Sequence, residues 1–142
     1  MRPNTLAKAA ERVISGEVLA MALSEFLDEF YLAATPDRQV AMLADEPSLT
    51  GDSRADGLFG AVAEYLAHQF ELPRVPEWAF GRERYLDRAW HTSPFADDAF
   101  REYLTFASPA EFSSRNIFTE ESPPRRARSV SAGTSTDRPI EA

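Results

Sequence analysis

The sequence predicts an all-α fold, a compact bundle of about five to six helices, and three observations carry that reading. Apolar residues recur at spacings of three and four along residues 4–72, whereas no stretch alternates apolar and polar residues as a half-buried strand does. Helix punctuation is frequent: Thr35-Pro36-Asp37, Ser93-Pro94 and Ser108-Pro109-Ala110-Glu111 each read as a helix start. A chain of 142 residues, 44% apolar and 11% aromatic, has the size and composition of one folded domain. That domain is placed in residues 1–118, with a disordered C-terminal tail, rich in Pro, Ser and Thr, in residues 119–142.

Asn4 is expected to cap a first helix over residues 4–15, with Leu6, Ala9, Ala10, Val13 and Ile14 on one face and Gly16 ending it. A second helix, residues 17–33, carries apolar side chains almost all round, broken by Ser24, Glu25, Asp28 and Glu29. So wide an arc marks the expected hub of the bundle. The third helix opens at Thr35-Pro36-Asp37 and stops before Pro47, and Ser48-Leu49-Thr50-Gly51 reads as a turn. The fourth shows one clean face, Ala55, Leu58, Phe59, Val62, Ala63, Leu66 and Phe70, and ends before Pro73. Pro73 and Pro76 bias the next residues towards extended backbone. Short pieces follow at residues 77–80 and 82–90, split by Gly81, then a helix over residues 93–107, and finally a capping box at Ser108-Pro109-Ala110-Glu111.

Composition excludes several chemistries. Zero cysteines rule out disulfides, thiolate metal sites and a cysteine nucleophile. The longest apolar run is residues 18–23, far below the roughly 20 residues a bilayer requires, and no apolar signal segment follows Met1, so no membrane association and a cytoplasmic location are expected. Net charge is −8. Residues 1–73 hold twelve acids against five bases, residues 74–118 seven against six, and the tail four of each. The acidity therefore lies on the helical first half, where it repels phosphate backbones and attracts a basic partner; direct nucleic-acid binding is not expected.

His68 stands one turn after Glu64, but two ligands do not make a zinc site, and the plainer reading is a boundary histidine. Asp52, Asp56 and Gly57 echo a calcium loop, yet Arg54 and Ala63 occupy positions that need oxygen donors. Neither metal nor cofactor is expected. His91 with Asp87 or Asp97 supports a hydrolase reading in third place; without a complete constellation no catalytic residue is assigned. Asp97-Asp98 suits a first helical turn, and Arg125, Arg126 and Arg128 before Ser129 form a short basic run in the tail. Trp78 and Trp90 suit a core or an interface hot spot, and Arg115, Asn116 and Phe118 lie where the domain gives way to its tail. These five residues, Trp78, Trp90, Arg115, Asn116 and Phe118, are the candidate partner-binding set.

The segments Glu25-Phe26-Leu27-Asp28-Glu29-Phe30-Tyr31, Leu49-Thr50-Gly51-Asp52, Ala63-Glu64-Tyr65-Leu66-Ala67 with Pro76-Glu77-Trp78, and Ser108-Pro109-Ala110-Glu111-Phe112 leading to Arg115-Asn116-Ile117-Phe118 resemble an uncharacterised family of small acidic bacterial proteins. The likeness spans most of residues 17–118 and departs at Ser113-Ser114, where arginine is expected. Members of that family are often encoded beside nucleotidyltransferase-like genes, which resembles a toxin–antitoxin arrangement and implies a gene neighbour as partner. The resemblance supplies no catalytic residues. The leading expectation is a non-enzymatic interaction module, antitoxin-like, that binds and masks a more basic protein. The alternative is a DNA-binding regulator in which the third and fourth helices form a helix-turn-helix.

Overall fold

Residues 53–69 decide the architecture, because this stretch buries nearly its whole circumference. In the computed structural model, which describes residues 2–92 and 108–119, it forms the helix α4 (Ser53–Gln69), preceded by α1 (Leu6–Ile14), α2 (Leu19–Leu32) and α3 (Pro36–Ala44). Every residue from 55 to 63 is buried, Asp56, Gly57 and Gly60 included. The predicted single apolar face is thus an underestimate. It is α4 that serves as the hub, while α2, expected in that role, leaves Met21 and Leu32 more than half exposed, as is Val18 just before it. An almost continuous apolar circumference does not say which faces find partners. In this chain the C-terminal elements settle on α4 instead.

Local chemistry sets most helix ends. Thr35 Oγ1 accepts from Arg38 N with Pro36 at the first position, as predicted. At α1 the cap is Thr5, whose Oγ1 accepts from Lys8 N, rather than Asn4, which stands one residue too early for the geometry. Gly16, at φ +113°, closes α1: its N–H reaches Val13 O and that of Glu17 reaches Arg12 O. The same closure ends α4 with Glu71 at φ 52°, through Glu71 N to His68 O and Leu72 N to Ala67 O. Between α3 and α4 the turn predicted at residues 48–51 is held by Asp56, whose carboxylate accepts from Thr50 N at 2.8 Å and Thr50 Oγ1 at 2.9 Å. Asp52 caps α4 by accepting from Arg54 N.

Leu6, Phe26, Leu27 and Phe30 meet Phe59, Val62 and Leu66 in the core, and Phe30 sits edge-on to Phe70 at 5.2 Å. A charged pair closes the N-terminal side, Arg2 to the buried Asp28 at 2.8 Å. At the α1–α2 junction Arg12 bonds Glu17 at 3.1 Å and approaches Glu25 at 3.7 Å. The carboxyl of Glu25 is pushed above its ordinary value by a hydrogen bond with Glu17, then by burial and by the charge of Glu17, against the opposing charges of Arg12 and Arg2.

Beyond Pro76 the backbone is short and irregular. Single 3-10 turns form at Glu77–Phe80 and Arg82–Arg84, the four-residue helix α5 at Ala110–Ser113, and β1 (Trp90–His91) pairs in parallel with β2 (Ile117–Phe118). The helix predicted through residue 90 therefore stops at Arg84, and the bridge is the one strand pairing among the described residues. The predicted capping box is also replaced: α5 has no side-chain cap, and Ser108 Oγ instead donates to Thr119 O and accepts from Thr119 N. Thr92 Oγ1 donates to Thr119 Oγ1, so one residue ties together both ends of residues 93–107. The helix predicted over residues 93–107 and the tail beyond residue 119, with Asp97, Asp98 and Arg125–Arg128, lie outside the described residues. Among the described residues no helix is long and apolar enough to cross a membrane.

Two glycines let the C-terminal elements lie against α4. A Cβ at Gly60 would fall 2.7 Å from Arg84 Cβ, and one at Gly57 3.2 Å from Leu86 Cδ2. Gly60→Ala gains about 1 kcal/mol of helix propensity yet is expected to lose a net ~1–2 kcal/mol in urea unfolding, because the clash is with the root of an immobile side chain. Gly57→Ala, against a leucine methyl, should be close to neutral. Glu25 gives a pH test. Its folded carboxyl holds a proton more tightly than the unfolded one, so its contribution is greatest below about pH 4.5 and declines as pH rises through the raised value. Relative to the native chain, Glu25→Gln should therefore gain stability between pH 4 and pH 7, read from the urea midpoints.

Candidate functional site

Two arginines fix the layout of the C-terminal cap, and both are wholly buried. Arg84 donates from Nη2 to Pro47 O at 2.7 Å and from Nη1 to Asp56 O at 3.3 Å, lies over the Trp78 ring at 4.9 Å, and approaches Glu46 at 3.5 Å. Arg115 donates from Nη1 to Glu64 Oε1 at 2.6 Å and Glu111 O at 2.7 Å, and from Nη2 to Ala79 O at 2.7 Å. Its guanidinium stacks over Tyr85 at 4.6 Å. Each cation thus joins α4, or the loop before it, to a 3-10 turn.

Trp78, with Arg84 over its ring, donates its indole N–H to Leu43 O at 2.9 Å. Its ring forms one side of a cleft of about 390 Å³ whose apolar surface comes from Val40, Leu43, Val75 and Pro76. Charged groups stand at the mouth: Glu46, 60% exposed, the exposed Glu77, and Arg74. The C-terminal end of α3, at Ala44, reaches the same cleft and adds the partial negative charge of the helix dipole.

The other predicted residues are distributed differently. Trp90 is half-buried in β1, with Arg54 over its ring at 5.3 Å. Arg115 has no exposed surface. Asn116 adopts φ 64°, a left-handed conformation that asparagine tolerates, and donates from Nδ2 to Leu86 O at 2.7 Å. Phe118 is half-buried and stacks on His91 at 5.1 Å. Trp78 alone of the five lines the cleft.

His68 acquires a partner that sequence spacing does not show. Its Nδ1 lies 2.6 Å from Glu111 Oε2 on α5, while Nε2 is 4.0 Å from Glu64. Glu64 also holds Arg115, so the cluster staples α5 to α4. The Nδ1 contact orients the ring, whereas Nε2, at 4.0 Å from Glu64, makes no hydrogen bond and the side chain is 51% exposed. Tyr65 packs on Phe112, and its phenol is pushed above its ordinary value by burial and then by the charge of Glu111. Among the described residues no group of three His, Cys, Asp or Glu side chains could hold a metal ion. No hydrogen bond there joins His91 to Asp87, and Asp97 lies outside the described residues.

Compared with protein-family models, with curated proteins and with solved structures, the chain has no significant match to any.

Arg115→Met is expected to cost about 3–5 kcal/mol, since it strands the Glu64 carboxylate and two buried carbonyls, and urea unfolding measures it. Arg115→Lys should recover less than half of the loss, because an ammonium cannot span three acceptors as the guanidinium fork does. Pairing Arg115→Met with Glu64→Gln should cost markedly less than the two single losses added.

Proposed function

We propose that the chain is a non-enzymatic protein-interaction module whose acidic helical half binds and masks a more basic protein, in the manner of an antitoxin. One observation carries the reading: six carboxylates of residues 2–73 are exposed, Glu11, Asp37, Asp45, Glu46, Asp52 and Glu71, against three exposed cations, Lys8, Arg38 and Arg54. Such a surface accelerates encounter with a basic partner and disfavours a phosphate backbone. It also weighs against the helix-turn-helix alternative. α4 is buried over residues 55–63 and has no free face there to enter a groove.

The likeness to the acidic bacterial family makes the product of an adjacent reading frame the first partner to test. Coexpressed with that product, the tagged chain should coelute with it in low salt and release it as salt rises. It should also suppress the neighbour's activity. Elution alone, with that activity unchanged, overturns the proposal.

A further inference from the structure

We infer that the cleft between α3 and Trp78 takes a basic segment of the protein partner, specifically a lysine or arginine beside an aliphatic residue. This deepens the interaction role proposed above and rests on it. The cleft, about 390 Å³, lies at the lower end of the ~300–1,000 Å³ typical of ligand sites. A small-molecule site also needs convergent polar groups. Here the Trp78 indole N–H is already committed to Leu43 O, and Val40, Val75 and Pro76 offer none from their side chains. What remains for recognition is apolar contact within the cleft and charge at its mouth.

That charge is net negative. Glu77 is exposed and forms no ion pair among the described residues, and Glu46 keeps 60% of its side chain exposed although it approaches Arg84. Asp45 sits between two residues that line the cleft, and the α3 carbonyl end adds to the same field. Arg74 at the cleft and the buried Arg84, which approaches Glu46, oppose three carboxylates with two cations. A long cationic side chain satisfies both demands at once, because its methylenes lie along Trp78 while its head stays at the acidic mouth. The neighbouring aliphatic residue fills the remaining apolar surface.

The chain's two tryptophans make the test specific, since each gives one indole N–H signal in a spectrum of the full ¹⁵N-labelled chain. The probe is an acetylated octapeptide alternating leucine and arginine. Saturable movement of the Trp78 signal is expected, with the Trp90 signal unmoved. Replacing arginine by glutamate, or leucine by serine, in the probe should weaken binding at least about tenfold, and Glu77→Arg in the protein about fivefold.

The inference fails if the Trp78 signal does not move, if Trp90 responds instead, if the leucine–glutamate peptide binds equally, or if Glu77→Arg leaves affinity unchanged. It also fails if Trp78 responds only after Arg125→Ser, Arg126→Ser and Arg128→Ser together, which would identify the chain's own basic run as the occupant. Failure of the cleft differs from failure of the broader role. A salt-sensitive complex with the neighbouring gene product that survives Glu77→Arg unweakened sinks the cleft alone. Absence of any such complex, with the Trp78 titration intact, sinks the partner assignment alone.

Discussion

The structure depends on two buried guanidinium groups that satisfy main-chain carbonyls where regular structure cannot. The segments after Pro76 are single 3-10 turns, a four-residue helix and a two-residue bridge, none long enough to be stable by itself. Their carbonyls need donors, and Ala79 O and Glu111 O find one in Arg115, while Arg84 reaches back from its 3-10 turn to Pro47 O before α4 and to Asp56 O on α4. Arginine suits this task because its planar fork reaches acceptors on separate segments at once. Burying a cation is costly, and the carboxylate of Glu64 beside Arg115 offsets part of that cost. The net gain is geometric definition more than stability.

This dependence also explains why α4 takes the central position. Gly57 and Gly60 stand one turn apart and leave room for Leu86 and Arg84, so the cap can approach the helix backbone. A Cβ at Gly60 would also stand 3.2 Å from Ala79 O.

Features decided within four residues were legible in the sequence. Thr35-Pro36 specifies its own cap, and the periodicity of residues 55–70 yields α4, which ends at Gln69, short of the stop expected before Pro73. Features decided at long range were not. Ser108 carries the local pattern of a capping residue, but its hydroxyl meets Thr119, a competitor that no local motif describes. Likewise, arginine is among the residues least often buried, so Arg84 and Arg115 offered no sign of their position. The available hint was the pair of glycines inside a strong helical pattern, which signals close approach of another segment. For the site, Trp78 was visible as a candidate; its cleft required the placement of α3 against residues 74–78.

The sequence's charge count changes meaning once side chains are placed. Residues 74–118 appear nearly neutral because Arg84 and Arg115 are counted with the rest, yet neither contributes an exposed charge. In residues 2–73 burial removes Asp28 and Asp56 from the surface, and Asp28 takes the Arg2 guanidinium as its partner. The acidity that reaches solvent is thus concentrated at helix ends and turns, at Asp45 and Glu46 after α3 and at Asp52 before α4. Glu77 extends it across the cleft. Since exposed charges act mainly within a Debye length of about 8 Å at physiological salt, this clustering gives the field direction, which an evenly spread charge of the same total would not.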